Sequence, residues 1–132
     1  MTTNRIDRVL SGLVAFDVVL TSPLVRARQT ADIVAAAFNT RPPIVMIDSL
    51  SPGGSTHAVL NDLEAHARRA RIAIVGHEPG LGELAARLAG LKRALEFKKG
   101  AICRIDVESI PSAGPGALRW FLTPKILREF RK

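Results

Sequence analysis

The stretch Val18-Val19-Leu20-Thr21-Ser22-Pro23-Leu24-Val25-Arg26-Ala27-Arg28-Gln29-Thr30 decides how the chain is read. It opens as a β-branched apolar run and closes in a helical pattern, with Ser22-Pro23 at the switch. Serine is a good N-cap and proline is pre-set for the first helical position. That spacing puts Arg26 in the first helical turn, where unpaired backbone N–H groups and the helix dipole already favour an anion. A guanidinium there is suited to bidentate contact with phosphate or carboxylate. A plain strand–turn–helix joint with a solvated arginine explains the same letters.

Outward from this joint, short apolar runs alternate with helical patterns. Upstream, Ile6, Val9, Leu10 and Leu13 predict a short amphipathic helix over 5–14. A buried strand is expected over 16–21. Ala27, Ala31, Val34 and Phe38 form the core stripe of the next helix, with Arg28 and Asp32 as an i,i+4 pair on its wet side. Thr40-Arg41-Pro42-Pro43 ends that helix. Ile44 to Ile47 reads as a second strand, and Ser51-Pro52-Gly53-Gly54-Ser55 as a loop.

A third helix is predicted from Thr56 to Ala70, with Leu60, Leu63, Ala67 and Ala70 inward. Ile72-Ala73-Ile74-Val75-Gly76 is the clearest parallel-strand run. It leads through His77-Glu78-Pro79-Gly80 into a fourth helix with Leu81, Leu84, Ala85, Leu88 and Leu91 inward. Alternation over Ala101 to Glu108 predicts a strand with one dry face. The Pro111–Gly116 turn, a strand over Ala117 to Thr123 and a short basic helix from Pro124 complete the chain. The pattern predicts one α/β domain over 1–132, a mainly parallel sheet with helices on both faces and a late antiparallel hairpin.

Composition bounds the function. The 132 residues are 47% hydrophobic, enough for one core. A mean hydropathy of +0.15 indicates a folded chain. No apolar run reaches membrane-span length and no signal-peptide core follows Met1, so no membrane partner is expected. The single Cys103 cannot form an internal disulfide, which fits a reducing cytoplasm and excludes a cysteine-based zinc site. The net charge of +7 is compatible with a polyanion partner. The basic residues are scattered, however, and aromatics make up 5% with no tyrosine, which argues against a nucleic-acid platform.

In parallel α/β sheets ligands bind at the carboxyl ends of the strands. Arg26 and His77 each sit just past such an end, at the start of a helix. If the two strands are neighbours, an arginine, a histidine and two helix N-termini converge on an anion, and the natural anion is a phosphoryl group. His77 as a simple turn residue is the competing reading. His57 and His66 read as structural or solvated.

Thr21-Ser22-Pro23-Leu24-Val25-Arg26-Ala27-Arg28-Gln29-Thr30 and Val75-Gly76-His77-Glu78-Pro79 resemble two signature segments of the histidine phosphatase superfamily, nearest its SixA-type phosphohistidine phosphatases. Phe97 to Ile102 and Trp120 to Pro124 are similar to that branch as well. The resemblance implies a phosphoglycerate-mutase-like fold and a metal-independent phosphatase without cofactor. Such an enzyme transfers a phosphoryl group to a histidine and hydrolyses the phosphoenzyme, with protein donors meeting the charge on the phosphoryl oxygens. It implies a phosphohistidine protein, or a small phosphorylated molecule, as substrate. By the same resemblance Arg26 clamps the phosphate and His77 donates to it, a role a cationic imidazole fills near neutral pH beside an anionic partner. Ser22 and Glu78 flank them as shapers of the phosphate-binding pocket.

One part of the family pattern is absent. The nucleophile of the family lies in an Arg-His-Gly motif on an interior strand, and this sequence contains no Arg-His-Gly. None of His57, His66 and His77 takes its place, so the expectation for these residues is very little turnover. A truncated or mis-started reading frame accounts for the absence; an evolved loss is the other reading. Without an interior strand the expectation is rearrangement, a marginally stable fragment, or self-association through an exposed sheet edge. Two further functions remain at this stage: a non-catalytic phosphate-binding or interaction module, and a basic α/β domain that binds polyanions.

Overall fold

The computed structural model describes residues 16–36, 41–98, 101–109, 115–122 and 125. The helix expected over 5–14, Phe38, most of the Pro111–Gly116 turn and nearly all of the helix after Pro124 lie outside these residues.

The apolar run at the head of the deciding stretch becomes β1 (Val18–Thr21), with Val18, Val19, Leu20 and Thr21 all at or below 1% exposure. It lies between β2 (Ile44–Met46) and β3 (Ile72–Val75) and runs parallel to both. Its registers are Leu20 to Val45 on one side and Thr21 to Val75 on the other. A strand with neighbours on both edges and helices on both faces must be apolar throughout, which is why this run does not alternate.

Side chains of β1 still point to opposite faces in turn. Val18 and Leu20 pack with Leu50, Val59, Leu63 and Leu84 beneath α2 (Thr56–Leu63) and α3 (Gly80–Ala89). Val19 packs with Ala31 and Ala35 of α1 (Val25–Ala36) on the other face. Burying each of these β1 aliphatics contributes about 1.5–3 kcal/mol. The predicted three-layer α/β arrangement is the observed one. The antiparallel hairpin of β4 (Ile102–Asp106) and β5 (Ala117–Leu122) forms a separate two-stranded sheet with a bulge at Arg104/Ile105. Among the described residues no helix is long and apolar enough to cross a membrane.

Two helices end earlier than the periodicity predicts. The α2 helix stops at Leu63 and tightens into a 3-10 turn over Glu64–His66, leaving Ala67 and Ala70 exposed. The cause is Asp17, whose carboxylate accepts the Ala70 and Arg71 N–H groups at 2.8 and 2.9 Å and draws that backbone toward the sheet. Asp62 likewise takes the Ser49 hydroxyl at 2.6 Å. The α3 helix stops because Gly90 adopts φ +71°, and the Leu91 N–H closes back on the Ala86 carbonyl. Leu91, predicted inward, is 42% exposed. The Arg28–Asp32 pair forms as predicted, at 3.3 Å.

All four residues of β3 are only half-buried, although its sequence is as apolar as that of β1. The Ser22 N–H donates to the Val75 carbonyl, so Val75 and Ala73 face β1. By alternation the peptide groups of Ile72 and Ile74 face away from it. Among the described residues this outer edge has no paired strand. We expect the Ile74 amide to exchange with deuterium orders of magnitude faster than the Leu20 amide in a native-state experiment, because exchange there needs no global opening. Equal protection of the two would show that another segment covers the edge.

Candidate phosphate-binding site

Pairing of β1 with β3 brings the two sequence motifs to the same end of the sheet. Thr21 and Val75 are direct partners, so Ser22 and Gly76-His77 leave adjacent carboxyl ends. Ser22 is fully buried and its Oγ lies 2.8 Å from His77 Nε2. The same Oγ accepts the Leu24 N–H at 3.1 Å. The helix proper begins two residues later than the serine-cap pattern predicts, since the first helical acceptor is the Leu24 carbonyl, bonded by the Arg28 N–H at 2.9 Å. Ser22 is therefore the oxygen of a serine turn that leads into α1, not the cap of α1 itself.

Arg26 stands in the first turn of α1 and is exposed. Among the described residues its guanidinium makes no hydrogen bond or ion pair. In that turn the N–H groups of Val25, Arg26 and Ala27 have no intrahelical acceptor. The first turn of α1 thus carries a cation and backbone donors at the same end of the sheet from which His77 departs.

Glu78 does something different from what its position suggests. Its Oε1 accepts the Gly82 N–H at 2.6 Å and its Oε2 accepts the Phe97 N–H at 3.3 Å. The carboxylate occupies the amino end of α3 and ties it to the 91–98 segment. The sequence predicts two open helix N-termini converging on the anion; Glu78 fills that of α3, which leaves the N-terminus of α1. Glu78 shapes the turn that carries His77, and a carboxylate at this place repels a phosphate oxygen.

His77 also lines a cleft with Leu50, Gly54, Thr56, Gly80 and Leu81. The Ser51–Ser55 loop was legible in the sequence only as a chain breaker, and nothing in its composition indicated that it faces His77. Ser55 shapes it by accepting the Ala58 N–H at 3.1 Å, which caps α2.

The other candidates lie elsewhere. His57 is exposed on α2, with Nε2 3.3 Å from the Asn61 side-chain amide. The His66 carbonyl accepts the Arg69 N–H, next to the Arg69–Arg71 turn that meets Asp17 at the amino end of β1. That is the opposite end of the sheet. Burial pushes the Cys103 thiol up to about 11, so it is not a thiolate nucleophile at neutral pH. On the hairpin, hydrogen bonds from Arg104 and then Arg119 hold the Asp106 carboxyl below its ordinary range.

Comparison with known proteins bears on the fold. The model of the histidine phosphatase superfamily (branch 1) matches residues 3–51, which include Ser22 and Arg26. An uncharacterized protein of Picosynechococcus sp. is 47% identical over 76 residues, a stretch that covers 56% of this chain and 46% of that protein. The chain therefore spans about half the length of that relative. Among solved structures, the protein histidine phosphatase SixA complexed with tungstate superimposes with a TM-score of 0.81 at 25% identity, over 96% of this chain and 80% of that one. SixA proteins from Agrobacterium tumefaciens and Nakamurella multipartitia share the fold, with TM-scores of 0.68 and 0.75 at 22% and 18% identity. Each match covers 93% of this chain and 80% of the other. The chain is thus similar to the histidine phosphatase superfamily over residues 3–51 and shares its fold with SixA structures over most of its length.

Proposed function

We propose that Arg26 and His77 hold a phosphoryl group at the carboxyl ends of β1 and β3, as the phosphate-gripping part of a SixA-type phosphohistidine phosphatase. The observation that carries this reading is the 2.8 Å contact between Ser22 and His77, which joins the two motifs across 55 residues of sequence. In this reading the physiological substrate is a phosphohistidine on a protein, met in the cytoplasm. Arg26 takes two phosphoryl oxygens in its fork, the first turn of α1 adds backbone donors, and His77 donates to a third oxygen. Hydrolysis further requires a histidine nucleophile, and none of His57, His66 and His77 stands in an Arg-His-Gly segment. In this reading the 132 residues supply the phosphate grip, and no Arg-His-Gly nucleophile segment accompanies it.

The test is a calorimetric titration of the 132-residue chain with tungstate, a tetrahedral oxyanion, alongside an assay on a phosphohistidine peptide. Saturable binding that inorganic phosphate displaces, with negligible release of phosphate from the peptide, is the expected result. Robust hydrolysis with a trapped phosphohistidine would show that one of the three histidines is the nucleophile after all. Absence of saturable binding would remove the phosphate site.

A further inference from the structure

The Ser22 hydroxyl has a single proton, and the structure decides where it goes. Ser22 is 0% exposed, so water does not compete for it. Its oxygen already accepts the Leu24 N–H. Among the described residues the other polar atom bonded to Oγ is His77 Nε2, at 2.8 Å. If Nε2 carried its own proton, Oγ would accept twice and the buried hydroxyl proton would have no acceptor, the arrangement that folded proteins avoid. We infer that Ser22 donates to Nε2, so that the neutral His77 ring carries its proton on Nδ1. A neutral imidazole has one donor and one acceptor nitrogen. Ser22 uses up the acceptor and makes the remaining nitrogen the donor.

This assignment gives His77 a definite polarity. Among the described residues Nδ1 makes no hydrogen bond, and the half-buried ring lines the cleft together with Gly80 and Leu81. An Nδ1–H there donates to an anion without the ring having to be charged. Nε2, held by a buried hydroxyl, serves neither as a base nor as a nucleophile. Ser22 is thus a positioning residue: it meets no phosphate oxygen, and it selects which face of His77 the anion encounters. The tautomer follows from the hydrogen bonds alone, whereas its use by an anion rests on the phosphate-binding function proposed above.

The experiment is a long-range proton–nitrogen NMR spectrum of the full 132-residue chain, labelled with nitrogen-15 in histidine and recorded where the rings are neutral. His57 and His66 provide internal references. We expect His77 to show a protonated Nδ1 and an unprotonated Nε2. In Ser22→Ala the ring is expected to move to the Nε2–H form, the tautomer an unconstrained side chain prefers, with a loss of tungstate affinity of about fivefold. Ser22→Thr keeps the hydroxyl and restores the Nδ1–H form. An Nε2–H ring in the unmutated chain overturns the inference whether or not the alanine variant folds. So does an Nδ1–H form that survives Ser22→Ala. A chain with the predicted tautomer that binds no tungstate upholds the Ser22 assignment and overturns only the phosphate reading.

Discussion

Arg26→Ala is expected to weaken tungstate binding by on the order of a hundredfold while leaving the melting temperature unchanged. A charged hydrogen bond contributes about 1.5–3 kcal/mol, and a guanidinium fork makes two in one geometry. Loss of the fork therefore removes most of the affinity of a small oxyanion. Stability is unaffected because Arg26 is exposed and, among the described residues, has no hydrogen bond or ion pair to lose. Arg26→Lys keeps the charge without the planar fork and falls between, near tenfold weaker binding. Arg28→Ala is the control, since Arg28 lies two residues on and is engaged with Asp32. It is expected to cost at most about 0.5 kcal/mol of stability and no tungstate affinity. Calorimetric titrations of the three variants decide the matter, and equal affinities for Arg26→Ala and Arg28→Ala would place the anion elsewhere.

Gly82→Ala carries the largest expected effect on stability, and its sign opposes helix propensity. Alanine in the interior of a helix is favoured over glycine by about 1 kcal/mol. At position 82, however, an added Cβ overlaps the Leu95 carbonyl oxygen and comes within 2.9 Å of Glu78 Oε1. Leu95 belongs to the 91–98 segment that closes on α3, where its N–H donates to the Gly82 carbonyl at 3.2 Å. Relief requires backbone movement, not a change of rotamer. The expected cost is about 3 kcal/mol, with a fall in melting temperature of roughly 10 °C. The same displacement disturbs Glu78 and hence the turn that holds His77, so tungstate affinity should fall as well. Gly80→Ala tests the explanation, because a Cβ there meets nothing nearer than the Gly54 carbonyl at 4.0 Å. Thermal melts in which both alanines are tolerated alike would show that the 91–98 segment does not pack on α3.

Local letters were enough for the parallel strands around Leu20 and Ile74, for the helix that carries Arg26, and for the loop that carries His77. Each is encoded by neighbours within a few residues: β-branched runs for the strands, a serine–proline switch, a three-to-four-residue stripe. The Arg28–Asp32 pair was legible for the same reason. The failures are equally specific. Periodicity predicts too long an α2 because Asp17, 53 and 54 residues upstream, takes the Ala70 and Arg71 N–H groups. Periodicity puts Leu91 in the core because it does not register the left-handed turn at Gly90.

The site divides along the same line. Residue types and their spacing were sufficient to single out Arg26 and His77 as phosphate-binding candidates and to show that no Arg-His-Gly accompanies them. That β1 lies beside β3, that Ser22 turns inward to hold the His77 ring, and that Glu78 spends its carboxylate on α3 and Phe97, came only with the folded arrangement. Apart from the Glu78–Gly82 bond, these are contacts between segments 19 to 55 residues apart. Strand order and helix packing set them, and no periodicity within one segment carries information about its neighbour in space.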